Sequence, residues 1–224
     1  MHPYFLSLKD NVWSGGGHSL KKTKLWIILT VLVTTFFTGT VLAAHDIYTV
    51  KRGDSLWKIA VKYQIGLSEI IGANPQFKNP DLIYPGDKVT IPNIDDIKAI
   101  EAEAIRLTNA QRSRYGLPAL KSNWELSRVA RYKSADMRDN RYFSHTSPVY
   151  GGPFQMISAF GISYSAAGEN IAKGRLSASA VVQGWMNSPG HRANILSNNY
   201  TQIGIGLATD STGTNYWTQM FIRR

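Results

Sequence analysis

Hydrophobic and polar positions change rhythm three times along the chain. Residues 25–37 form an apolar block broken only by threonines, with no amphipathic period. From Tyr48 the pattern alternates, as a short strand requires, until Gly53-Asp54-Ser55 interrupts it. Leu56, Ile59, Ala60 and Tyr63 then recur at helical spacing. Leu67, Ile70 and Ile71 predict a second short helix, ended by Asn74-Pro75, and Tyr84-Pro85-Gly86-Asp87 leads as a turn into a closing strand through Ile91. The order is β-α-α-β.

Beyond the polar joint at residues 93–96 the period lengthens. Ile97, Ile100, Ala104 and Leu107 share one helical face, with Glu101 and Glu103 directed elsewhere, and Gly116 and Pro118 mark the exit. Ser122 or Asn123 caps a second helix whose Leu126, Val129, Ala130 and Met137 face a core. Its Arg128, Arg131, Lys133 and Arg138 read as a solvated basic surface. Residues 154–160 predict a short helix ended by Gly161, and residues 177–186 a better one presenting Ala180, Val181 and Trp185. Residues 203–208 and 216–221 are strand-like around a turn-rich 210–215. Gly204 and Gly206 leave one sheet face bare enough for a helix to approach closely. Helices followed by late strands fit a layered α-β-α domain, making the whole chain α+β.

With 224 residues there is room for a targeting segment, a small module and one domain with a sizeable core. The absence of cysteine removes disulfides and thiolate metal sites, so stability must come from packing. The net charge of +10 is uneven. Residues 45–97 carry 6 basic and 7 acidic side chains, residues 98–224 carry 15 and 7. A basic second domain suits a polyanionic surround such as a cell wall or an anionic membrane surface. No nucleic-acid motif accompanies the charge.

Lys21-Lys22-Thr23-Lys24, the apolar block and the small-residue exit at Val41-Leu42-Ala43-Ala44 are the three parts of a secretory signal peptide, with cleavage expected after Ala43. The competing reading is an uncleaved anchor, because residues 25–44 just span a bilayer of about 30 Å. The basic residues sit far from Met1, and Leu20 is an alternative start, with Gly15-Gly16-Gly17 then a translated ribosome-binding site. The expected organisation is residues 1–44 as signal or anchor, 45–95 as the small module and 96–224 as the second domain. Membrane contact is expected only through the first segment.

Ser188-Pro189-Gly190-His191 reads as a helix start, with Ser188 as cap and Pro189 at the first helical position. His191 then lies in the first turn, where the helix dipole disfavours an added proton and keeps a lone pair available. The alternative is a buried histidine that closes a hydrogen-bond network. Together with Tyr142-Phe143-Ser144-His145, Ala167-Gly168-Glu169-Asn170-Ile171-Ala172, Trp185-Met186-Asn187 and the ending Tyr216-Trp217-Thr218-Gln219-Met220-Phe221, this stretch resembles the bacterial branch of the CAP superfamily over about residues 97–221. That superfamily includes cysteine-rich secretory and pathogenesis-related proteins. The resemblance implies an α-β-α sandwich whose cleft brings His145, Glu169 and His191 together.

Gly53-Asp54-Ser55-Leu56, Asn74-Pro75 and Tyr84-Pro85-Gly86-Asp87 in this order are similar to a LysM domain over residues 47–92. What that implies is binding of peptidoglycan or another N-acetylglucosamine polymer. The implied groove places Gly53, Asp54, Ser55 and Leu56 opposite Asn79, Pro80, Asp81, Leu82 and Ile83. Backbone groups and short polar side chains would meet acetamido and hydroxyl groups while apolar residues cover the sugar face. Trp57 and Ile59 read as core.

In eukaryotic CAP relatives a second acidic residue pairs with the first; that position falls on Ser188 here. One carboxylate and two imidazoles do not supply the carboxyl pair of most glycosidases, and no nucleophile with a base and orienting acid can be named. Zinc or another divalent metal on His145 and His191 is the expected cofactor if one is held, with Glu169 as third ligand or as a carboxylate behind one imidazole. A purely structural network and a peptidoglycan-modifying hydrolase are the other readings. The pairing of the two modules resembles bacterial envelope and spore-coat proteins, which makes such proteins expected partners.

Overall fold

The computed structural model describes residues 46–224; the expected signal or anchor, its cleavage point and the alternative start at Leu20 lie outside the described residues. Among the described residues no helix is long and apolar enough to cross a membrane.

The first module has the expected order. Strand β1 (Asp46–Thr49) pairs antiparallel with β2 (Lys88–Ile91), and helices α1 (Leu56–Tyr63) and α2 (Leu67–Gly72) lie between them in sequence. Ser55 starts α1 by accepting from Lys58 N at 3.2 Å. Val50, Leu56, Ile59, Ile70, Val89 and Ile91 form its core. Asn74 holds the two ends together: its Nδ2 donates to Ile70 O and Thr90 O, and its Oδ1 accepts from Thr90 N. Trp57 departs from the core expectation and is 42% exposed. Ile59, two residues on, is buried.

Helix α3 (Asp95–Arg114) opens the second domain, followed by β3 (Lys121–Ser122), α4 (Trp124–Asp139) and α5 (Pro153–Ala159). Strand β4 (Ala166–Gly174), helices α6 (Ala178–Asn187) and α7 (Pro189–Ile195), and strands β5 (Gln202–Thr209) and β6 (Asn215–Arg223) complete it. The sheet order is β3-β5-β6-β4, parallel at β3-β5 and antiparallel elsewhere. Helix α4 covers one face of β5 and β6, while α3, with α6 packed beside it, covers the other, giving the expected α-β-α sandwich.

Two glycines set the closeness of that packing. A Cβ on Gly204 would stand 2.4 Å from the Leu126 carbonyl carbon, and one on Gly206 would stand 2.0 Å from Arg131 N. Only bare backbone fits under α4. Asn123, of the two candidate caps, starts this helix, its Oδ1 accepting from Leu126 N at 3.1 Å.

The expected solvated basic face of α4 is not found. Arg128, Arg131 and Lys133 are buried, at 4%, 7% and 1% exposure. The helix has little open side left: Ser134 donates to Gly206 O on the sheet, while Tyr132 meets Ser68 and Glu69 of the first module. Glu101, expected to point outward, is likewise buried, because its carboxylate receives Arg131 Nε and Leu207 N. Buried charge is tolerable where it is paired in this way. The buried stripe of α3 therefore runs through Glu101, Ala104, Ile105, Thr108 and Arg112, leaving Ile100 exposed. On α6, Ala180 is exposed, and Ala178 and Val182 join Val181 and Trp185 in the core.

Candidate functional site

Strand β4 is a sheet edge, paired only with β6 among the described strands, and its alternation distributes the site. Glu169 stands opposite Met220, which packs with residues of α4 and α5; the next residue, Asn170, stands opposite Gln219 on the other face. Neighbouring residues thus serve opposite layers.

On the α4 side, Glu169 Oε1 lies 2.7 Å from His145 Nδ1. The carboxylate is almost wholly buried, whereas the imidazole is 51% exposed. Glu169 Oε2 has no hydrogen-bond partner. The loop carrying His145 is fastened by buried charge. Lys133 Nζ donates to His145 O at 2.9 Å and to Tyr142 Oη at 3.0 Å. Asp136 accepts from Tyr142 Oη, from Ser147 Oγ at 2.6 Å and from Asn140 Nδ2 at 2.7 Å. Ser147 Oγ in turn accepts from Val149 N and Tyr150 N.

On the other side, His191 lies in the first turn of α7, with Pro189 as the first helical residue and Ser188 as an extended N-cap whose side chain makes no capping bond. Asn170 Nδ2 donates to His191 O at 3.1 Å and to Gln219 Oε1 at 2.9 Å. Asn194 Nδ2 donates to Asn170 Oδ1 and to Glu169 O. Gln219 Nε2 donates to Thr108 on α3, so the chain of bonds runs from His191 into the core.

The two imidazoles differ electrostatically. The Glu169 hydrogen bond, helped by its charge and opposed by burial, raises the proton affinity of His145 above the usual histidine value. Burial, then repulsion from His145, lowers that of His191. Burial also lowers the pKa of Lys133, against the pull of Glu169 and Asp136. The lowered proton affinity favours the neutral form of His191, whose lone pair can accept a hydrogen bond or bind a metal.

Of the three residues that the resemblance implies, His145 and Glu169 are in direct contact. Among the described residues no three His, Cys, Asp or Glu side chains gather as a metal-holding group. Glu169 is committed to His145 Nδ1 and fits the role of a carboxylate orienting an imidazole, which leaves Nε2 of His145 as the atom able to face a ligand.

The implied groove of the first module is mixed. Leu56 is turned inward to the core, because it opens the amphipathic face of α1. Asp54 accepts from Tyr48 Oη and Lys51 N, both at 2.8 Å, and these bonds hold its carboxyl below the usual range, the Lys51 bond most of all. Ser55 caps α1, and the Gly53 carbonyl accepts from Lys58 Nζ. On the facing loop Asn79 closes a turn by accepting from Asp81 N and Leu82 N, Pro80 and Ile83 are half-buried, and Leu82 is exposed. Tyr84, which reads in the sequence only as part of a turn, is exposed as well. Asp136 carries no signal in the sequence, where it looks like an ordinary helix charge, and Lys133 reads there only as part of a solvated basic surface. Asn170 and Gln219 lie within the stretches that carry the family resemblance without a role of their own, and Asn194 lies just beyond one of them.

The profile of the Cysteine-rich secretory protein family, CAP, matches residues 105–221, and that of the LysM domain matches residues 48–92. An uncharacterized protein of Bacillus subtilis, YkwD, is 51% identical over 126 residues, which cover 56% of this chain and 48% of that protein. The spore coat assembly protein ExsA of Bacillus cereus is 47% identical over 47 residues, 21% of this chain and 7% of that protein. An extracellular protein of Bacillus anthracis containing an SCP domain shares the fold, with a TM-score of 0.54 and 36% identity, over 62% of this chain and 47% of the other. The chain thus spans about half the length of YkwD or less of the relatives named here.

Proposed function

This chain belongs to the cysteine-rich secretory protein (CAP) family and carries a LysM domain ahead of its CAP domain, and from that premise we propose that it is an exported, cell-wall-associated protein. Its LysM domain docks on N-acetylglucosamine glycan of peptidoglycan and carries the CAP domain to the wall. The observation that supports this reading best is the way the two domains are fastened. Tyr132 of α4 donates to Glu69 at 2.8 Å and accepts from Ser68 N, Lys98 of α3 donates to Tyr63 O at 2.9 Å, and Arg131 stands between Glu69 and Glu101. A glycan held by one domain therefore has a fixed direction relative to the other. The likeness of part of the chain to a spore coat assembly protein supports placing it in the spore envelope, among coat proteins.

The CAP cleft, in this reading, binds a small ligand or a divalent metal such as zinc through His145 and His191. Glu169 holds the first imidazole in the tautomer that points Nε2 outward. A bound metal would supply Lewis acidity; the chain supplies the two nitrogens and the hydrogen bonds that fix them.

A hydrolase acting through His145, Glu169 and His191 is a second reading, favoured by one observation. The opposite displacements of the two imidazoles suit an acid and a base at the same pH. Asp136 does not complete a carboxylate pair, since its oxygens already receive three donors. Turbidity of purified peptidoglycan over time, with and without zinc, separates the two: the binding reading expects none of the clearing that a hydrolase would cause. Titration with an N-acetylglucosamine oligomer, followed by amide NMR, tests the LysM assignment. Shifts concentrated at residues 53–56 and 79–83 are expected, and a titration that leaves them unmoved would overturn it.

A further inference from the structure

A buried cation without a partner lies where α4 passes the LysM domain. Arg128 has 4% of its surface exposed, and its guanidinium is surrounded by aromatic faces. The ring centres of Trp57, Phe160 and Trp124 are 4.9, 5.6 and 6.0 Å away. Its Nε has no hydrogen-bond partner, and no carboxylate pairs with the group among the described residues. Arg131, one turn further along the same helix, also has one nitrogen without a hydrogen bond, but it has a carboxylate partner: it pairs with Glu101 and approaches Glu69. Arginine cannot shed its charge, and π faces attract a cation while offering no oxygen to its N–H groups. Leaving its Nε buried and unpaired is unfavourable, whereas its two terminal nitrogens are not among the wholly buried atoms, so a counterpart from outside the chain can reach the group.

The surroundings describe that counterpart. Arg128 lines an open groove of about 630 Å³ together with Trp57, Ser68, Tyr132, Tyr150 and Phe160. A guanidinium fork matches a carboxylate, and exposed aromatic faces suit the apolar face of a sugar ring. Trp57 sits in the first turn of α1, two residues after Ser55, so the groove takes one wall from the helix that the Gly53–Ser55 loop leads into.

We propose that this junction groove is a second saccharide subsite, specific for an N-acetylated sugar that carries a free carboxylate. Arg128 takes the carboxylate and Trp57 the ring. The proposal rests on the glycan-binding reading of the LysM domain and adds to it a preference that the LysM loops alone do not explain.

Calorimetric titration of the full chain with two oligosaccharides of equal length tests it. One is a neutral N-acetylglucosamine oligomer; in the other, every second sugar bears a lactyl ether with a free carboxylate. The acidic oligomer should bind about tenfold more tightly at low salt, with the advantage shrinking as salt is added. Arg128→Gln should abolish the advantage and leave the neutral affinity unchanged. In that variant the relief of an unpaired buried charge offsets the loss of the ring contacts, so its melting temperature should change little. Should it nevertheless fail to fold, Arg128→Lys keeps the charge without the fork and should lose most of the advantage. Equal binding of both oligomers by the wild type would overturn the subsite and leave the LysM reading standing. Binding of neither would overturn both. An acid preference that survives Arg128→Gln or Arg128→Lys would place the carboxylate elsewhere.

Discussion

Replacing Glu169 by glutamine should change stability in a pH-dependent way that identifies what the carboxylate does. Its Oε1 meets His145 Nδ1 at 2.7 Å, and its Oε2 is buried without a partner. A hydrogen bond involving a charged group contributes about 1.5–3 kcal/mol. The imidazole is 51% exposed, so water competes and screening leaves about 1 kcal/mol. Against this stands the cost of burying a carboxylate with one idle oxygen, which glutamine reduces by removing the charge. The two effects nearly cancel when His145 is neutral. The sign of the pH dependence follows from the raised pKa of His145. Its stabilising contribution is fully present below the unfolded value of about 6.5 and is lost as pH rises through the elevated folded value. His191 is present in both proteins and drops out of the difference. The wild type should therefore exceed Glu169→Gln by about 1 kcal/mol at about pH 5.5, or roughly 2–4 °C in melting temperature, and the gap should close by about pH 9. Calorimetric melts in chelator across that range measure it. A gap that is constant with pH, or that widens toward alkaline pH, would refute the ion-pair argument.

Gly206→Ala places a Cβ 2.0 Å from Arg131 N, and the resulting displacement of α4 should lower stability by about 1–3 kcal/mol in denaturant melts. Tyr142→Phe removes one donor from buried Asp136 and a partner from Lys133; a loss of about 1–3 kcal/mol is expected, with broadened His145 ring resonances by NMR as the loop loosens. His145→Ala and His191→Ala should each weaken zinc binding in calorimetric titration by about tenfold or more, and His145→Ala should also lower the melt in chelator, because it leaves the buried Glu169 carboxylate without its partner. Unchanged zinc affinity in the double variant would remove the metal from the account and leave the hydrogen-bond network.

Local structure was legible in the sequence because its determinants are local. Asn123 caps α4 through a residue three positions away, and Gly204 and Gly206 announce a close helix by the side chains they lack. Arg128, Arg131 and Lys133 misled because their burial comes from segments distant in the chain. Helical spacing cannot show that Glu69 and Trp57 of the LysM domain will cover α4, nor that Glu101 will turn inward to meet Arg131. Trp57 was misplaced for the same reason: its ring faces Arg128 across the junction rather than the core of its own domain. The meeting of His145 with Glu169 required knowing that β4 is an edge strand, a property of sheet order that no single stretch contains. Family resemblance supplied that step. It did not supply Lys133 and Asp136, which fasten the His145 loop from the preceding helix.

Co-sedimentation with insoluble peptidoglycan over a salt series decides whether the LysM domain is the wall anchor. Residues 46–95 keep their own hydrophobic core and can be compared as a fragment with residues 96–224, whose charge is strongly basic. The LysM fragment should sediment with the wall and remain there as salt rises through about 0.5 M, since hydrogen bonds and apolar contacts to sugar are little screened. The CAP fragment should sediment less and be released by the same salt, as expected for attraction between a basic surface and a polyanion. Equal sedimentation of both fragments, insensitive to salt, or retention of the CAP fragment alone, would contradict the assignment.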